Sequence, residues 1–92
     1  MKIRVVAKND RASFVGIQPD GDYCVFTLDD TADIELADVL SGPFDEVGAT
    51  WTQNITQNEK MYVCVEDFSC TQQSALHLLE RLGNPTKIWK TE

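Results

Sequence analysis

A chain of 92 residues, 42 % hydrophobic and 25 % charged, has the make-up of one small globular domain spanning 1–92, too short for a second domain. No apolar run reaches the ~20 residues that a membrane-spanning helix needs, and the opening MKIRVVAKNDR is too poor in apolar residues for a signal peptide, so the expected setting is the cytoplasm, without a membrane partner. A net charge of −7 and a pI near 4.5 oppose phosphate backbones, which makes nucleic acid a disfavoured ligand.

The charge is unevenly placed. Met1 to Arg11 carries +3, from four cations against Asp10; Ala12 to Glu59 carries −10 without one Lys or Arg; Lys60 to Glu92 sums to zero. Three cysteines, Cys24, Cys64 and Cys70, form no CxxC pair, and an odd count fits reduced thiols better than a disulfide framework. Only in an exported chain would Cys64 and Cys70 be a candidate bridge.

In chain order, Lys2 to Ala7 alternates: Ile3, Val5 and Ala7 share one face, and Lys2, Arg4, Val6 and Lys8 share the other, which predicts a half-buried strand. After the polar Asn9-Asp10-Arg11 turn comes SFVGIQPDGDYCVFTL, Ser13 to Leu28. Two β-branched and aromatic runs meet there at Pro19-Asp20-Gly21-Asp22, which predicts a β-hairpin and, with the first strand, a three-stranded antiparallel meander.

The acidic Asp29 to Asp33 loop leads into IELADVLSGPF. Ile34 and Leu36 alternate, whereas Leu36, Val39 and Leu40 would share a helical face; the Ser41-Gly42-Pro43 stop and the shortness of the run favour extended structure. Glu46 to Asn58 reads as a weak strand or ordered loop, anchored by Trp51 at a core edge. Met61 to Val65 (MYVCV) reads as a central strand with Cys64 buried as a small hydrophobe. Ala75, Leu78, Leu79 and Leu82 then form the stripe of an amphipathic helix, with Ser69/Gln72 as a capping box or Thr71 as N-cap, and Gly83 and Pro85 as the stop. Thr86 to Lys90 (TKIWK) is a candidate edge strand.

Strands first and one helix late describe a mainly β (α+β) fold: a small curled antiparallel sheet or a partly closed five-stranded barrel with one C-terminal helix packed on it. The stretch IELADVLSG, Ile34 to Gly42, resembles the acidic-hydrophobic-x-Gly-Asp-x-hydrophobic-x-Gly pattern that precedes a core strand in oligonucleotide/oligosaccharide-binding-fold (OB-like) barrels. Asp38 and Gly42 match the pattern, and Ala37 stands where its first Gly would be. The layout is also similar to that of small uncharacterised bacterial proteins. The resemblance implies a barrel and transfers no functional residue.

The chemistry-bearing residues assemble no named mechanism. His77 lies off the helix stripe, and although Cys70 is seven residues away, no oxyanion hole or orienting group accompanies them, so no catalytic residue is assigned. Cys64, Cys70 and His77 lack the tight spacing of zinc ligands, and the aspartates form no calcium loop, so no metal or cofactor is expected. The expected function is that of a non-enzymatic interaction or regulatory module, binding a protein of basic surface, or itself, through Asp20, Asp22, Asp29, Asp30, Asp33, Glu35 and Asp38. The alternative is a single-stranded nucleic-acid-binding face built from Lys2, Arg4 and Lys8 with Trp51, Tyr62 and Trp89 as stacking platforms.

Overall fold

The computed structural model describes residues 1–29 and 33–88; Asp30 and Trp89, each a candidate site residue, lie outside the described residues. Seven strands and one helix follow in the order β1 (Lys2–Asn9), β2 (Ser13–Ile17), β3 (Tyr23–Leu28), β4 (Val39–Ser41), β5 (Gly48–Asn54), β6 (Glu59–Cys70), α1 (Gln72–Leu82) and β7 (Pro85–Ile88). The sheet order β2-β3-β6-β5-β4-β1 closes on itself because β1 also pairs with β2, giving a closed six-stranded antiparallel barrel. β7 then adds to the C-terminal half of β1, beyond the part that β4 uses. The expected barrel thus forms with full closure and six strands in place of five. Closure satisfies the backbone edges that an open sheet this small would expose.

The predicted hairpin is present in the register Phe14↔Phe26 and Gly16↔Cys24. At its turn the Asp22 carbonyl accepts the Gln18 N–H at 2.7 Å, Asp20 Oδ1 accepts the Asp22 N–H at 3.1 Å, and Gly21 takes φ 92°, a conformation open to a residue without Cβ.

Two cores share the barrel wall. The interior holds Ile3, Val5, Phe14, Cys24, Phe26, Ile34, Leu40, Phe44, Met61, Val63 and Val65. Phe14 stacks on Phe26 at 5.5 Å between centroids, and Phe26 meets Phe44 at 5.3 Å, so the aromatic density of the hairpin fills the lumen. The second core lies outside the barrel, where α1 covers Val6, Ala7, Val15, Val25 and Cys70 with Ala75 and Leu79. Each fully buried Phe or Leu contributes roughly 1.5–3 kcal/mol of transfer free energy, so a barrel this small depends on both cores.

Local differences from the sequence reading have physical causes. A register shift between Val5 and Ala7 places Ala7 outside with Val6, beneath the helix, where strict alternation had put it with Ile3 and Val5. Ile34 is buried without being in a strand, Leu36 and Ala37 form a turn, and only Val39–Ser41 is extended. Glu46 to Asn58 contains the full strand β5. Cys64 faces outward and is half-buried, while Cys24 and Cys70 are the buried thiols.

Thr71, rather than Ser69, caps the helix, accepting the Ser74 N–H at 3.1 Å. Gly83 ends it with extended backbone, φ 172°. A Cβ there would lie 2.7 Å from Arg11 Cγ and 2.8 Å from Asp10 Oδ1, so close approach to the β1–β2 turn explains the glycine. Asn9, buried in β1, ties the layers together: its Nδ2 donates to the Leu79 carbonyl at 3.0 Å, and its Oδ1 accepts the Arg11 and Ser13 N–H groups.

Candidate functional site

The acidic candidates do not form one surface. Asp20 and Asp22 sit in the β2–β3 turn, while Asp29 follows the opposite end of β3. Glu35 pairs with Lys8 at 3.5 Å, joining a residue of the acidic set to one of the nucleic-acid set. Such a half-exposed pair contributes at most about 1 kcal/mol. Asp33 is exposed.

Asp38 is buried, 4 % exposed, and is withdrawn from any docking surface. Its Oδ2 accepts three bonds: from the Glu35 N–H at 3.0 Å, Asn54 Nδ2 at 2.9 Å and Gln57 Nε2 at 2.7 Å. Its own carbonyl accepts the Val5 N–H at 2.9 Å. The carboxylate therefore ties the entry to β4 onto the end of β5 and the β5–β6 turn, and the Asp38 carbonyl ties it to β1. Ala37, beside it, takes φ 73°, the left-handed region that favours glycine.

The thiols and the histidine remain apart. Burial pushes the Cys24 thiol up to about 12. Burial, followed by its hydrogen bond to Asp67, pushes Cys70 up to about 11. Partial burial raises Cys64 as well, assisted by Glu66 and Asp29. Neutral buried thiols are poor nucleophiles. Cys70 donates to the Phe68 carbonyl at 3.6 Å, and His77 is exposed on the outer side of α1 beside Asp67, Ser74 and Arg81. Among the described residues no group of three His, Cys, Asp or Glu side chains could hold a metal ion.

The chemistry that does converge lies on the side of the barrel that α1 leaves uncovered. The helix packs on β1, β2, β3 and β6, so the outward face running from the N-terminal half of β1 through β4 and β5 to the start of β6 stays open. Trp51 on β5 is 55 % exposed there, directly opposite Tyr62 on β6. The rings meet at 5.0 Å with 60° between their planes, and Lys60 Nζ sits 5.1 Å from the Trp51 ring centroid. Val39 and the exposed Ile55 add apolar area, and Lys2 and Arg4 border it on β1. Trp51 is thus a surface residue rather than the core-edge anchor expected.

Of the nucleic-acid candidates, Lys2, Arg4, Trp51 and Tyr62 share this face, and Lys8 is diverted to Glu35. Lys60, missed in the sequence, belongs to it; its two-residue offset from Tyr62 on a strand was the available signal.

No protein-family model, no curated protein and no solved structure matches this chain. Among the described residues no helix is long and apolar enough to cross a membrane.

Proposed function

We propose that the chain is a non-enzymatic binding module that engages a protein partner through the helix-free face of its barrel, with Trp51 as the anchor. The observation that carries this reading is a tryptophan more than half exposed on a sheet face, in contact with a tyrosine and a lysine, with Arg4 two strands away on the same side of the barrel. Trp, Tyr and Arg are the side chains that dominate protein–protein binding energy, because they desolvate large area at low entropic cost. The closed barrel is compatible with an OB-like architecture, for which ligand binding on an outer sheet face is physically natural. Three free thiols support a reducing compartment as its place of action.

A nucleic-acid ligand fits the face less well. The two rings are tilted rather than coplanar, Lys60 occupies one side of the indole, and a net charge of −7 repels a polyanion at long range. Capture from a native lysate on immobilised protein, compared with Trp51→Ala, tests the reading. Loss of a specifically captured protein, with an unchanged circular dichroism spectrum, is expected; truncating an interface tryptophan costs roughly 2–4 kcal/mol, or about 30- to 1,000-fold in affinity. Capture that Trp51→Ala leaves intact, or tight salt-dependent binding of single-stranded oligonucleotides, would overturn it.

A further inference from the structure

The helix-free face contains a row of outward side chains running across the strands. Lys2 on β1 is the register partner of Ser41 on β4, Ser41 of Gln53 on β5, and Gln53 of Lys60 on β6. Three steps of about 4.8 Å between neighbouring strands place the two lysines roughly 14 Å apart along the sheet.

Two grooves open onto this row. One, of about 300 Å³, meets the row at Lys2 and runs past Arg4 and Val39 to Ile17, Gln18 and Pro19 at the end of β2; the other, of about 220 Å³, is lined by Ser41, Trp51, Thr52, Gln53 and Lys60. No carboxylate lines either. The grooves along α1 differ: Asp67 lines one, and Asp10 and Glu80 line the other. Lys2, Arg4 and Lys60 have no ion-pair partner among the described residues, so a chain of net charge −7 holds three unpaired cations on the side of the barrel that carries Trp51 and Tyr62.

We infer that this face docks an extended acidic segment of another protein, laid along the Lys2–Ser41–Gln53–Lys60 row. An extended peptide rises about 3.3 Å per residue with alternate side chains on one face, so carboxylates at i and i+4 stand roughly 13 Å apart and match the two lysines. Ser41 and Gln53 between them hydrogen-bond the peptide backbone. Lys60 leaves the Trp51 ring for the carboxylate, and the uncovered indole receives an apolar side chain of the segment. The segment crosses the strands of this barrel, so side chains rather than strand addition supply the affinity. This partner is the charge opposite of the basic one expected from the acidic stretch, because the acidic candidates are dispersed and the two grooves on this face are lined by cations without a carboxylate. The inference rests on the proposed protein-binding role of the face.

Its test is fluorescence anisotropy with labelled peptides of about fifteen residues, alternating Val and Thr, with Glu at i and i+4, Glu at i and i+2, or Lys at i and i+4. The expected result is saturable binding of the first, weakening as ionic strength rises, about tenfold weaker binding of the second, and no binding of the third. Lys2→Glu and Lys60→Glu, both at exposed positions, are each expected to reduce binding of the first peptide about tenfold while the urea midpoint stays unchanged. Equal binding of both glutamate peptides, indifference to either charge reversal, or tighter binding of an oligothymidine strand than of any peptide would overturn it. Should the peptides fail while lysate capture still requires Trp51, the acidic segment falls and the protein-binding role stands. If Trp51→Ala leaves capture unchanged, both fall.

Discussion

Replacing Asp38 probes how a residue that reads as surface charge serves the fold. Asp38→Ala removes the acceptor of three hydrogen bonds, all made to one oxygen. Glu35 and Gln57 belong to exposed residues, so water can take over their donors, but Asn54 is completely buried and its amide loses its acceptor. A buried donor left unsatisfied costs about 1–3 kcal/mol, and the lost charge-assisted bonds add to it, giving roughly 3 kcal/mol for the alanine variant. Asp38→Asn can place its amide oxygen where Oδ2 stands and keep the three contacts, losing only the charge, for a cost of about 1 kcal/mol. Urea unfolding followed by circular dichroism measures both, with an unchanged m-value expected if the native state keeps its compactness. Against a total stability of about 5–15 kcal/mol the difference is easily resolved. An alanine variant within about 0.5 kcal/mol of the parent, or an asparagine variant as costly as alanine, would refute the reasoning.

Three further outcomes can be checked. Ala37→Gly is expected to stabilise the chain by about 0.5–1 kcal/mol, because relief of the left-handed φ of 73° outweighs the added unfolded-state entropy; a lowered urea midpoint would contradict this. A Cβ at Gly16 would collide with the Ile3 side chain inside the closed barrel, so Gly16→Ala should cost about 1–3 kcal/mol. Combining it with Ile3→Val, which deletes the colliding methyl, should recover part of that loss, and strict additivity in the double-mutant cycle would refute the clash. For Cys24, burial holds the folded thiol near 12 against an ordinary 9.0, so the folded state favours the protonated form. Its contribution is complete below pH 9 and is lost as pH rises from about 9 toward about 12. Alkaline unfolding should therefore be shallower in Cys24→Ala than in the parent, and superimposable pH profiles would exclude the effect.

The elements legible in the residues were those specified by short-range chemistry. The Pro19-Asp20-Gly21-Asp22 turn sets its own geometry, and the flanking runs supply strand propensity, so β2 and β3 needed no tertiary information. The helix stripe behaves likewise, since Ala75 and Leu79 bury at helical spacing wherever an apolar surface lies beneath them. Ala37 was half legible: its place in a glycine-like position of the OB-like pattern coincides with its positive φ.

β5 was obscured because its inward positions Thr52 and Asn54 are polar, which erases the apolar alternation that marks a strand. The bulge at Val6 was equally hidden, since a register shift is imposed by partner strands.

The site depended most on tertiary structure. In the sequence Asp38 is one acid in a run of acids, yet the side-chain donors that bury it lie 16 and 19 residues away. Lys2, Trp51 and Lys60 are scattered along the chain and come onto one side of the barrel only when β1, β4, β5 and β6 pair. Composition and periodicity by themselves determined a small, acidic, mainly β domain with a late helix. Which side of the barrel that helix covers, and hence which aromatic and basic residues remain open to a partner, was decided by closure, because pairing between distant strands sets which faces meet and local sequence does not encode it.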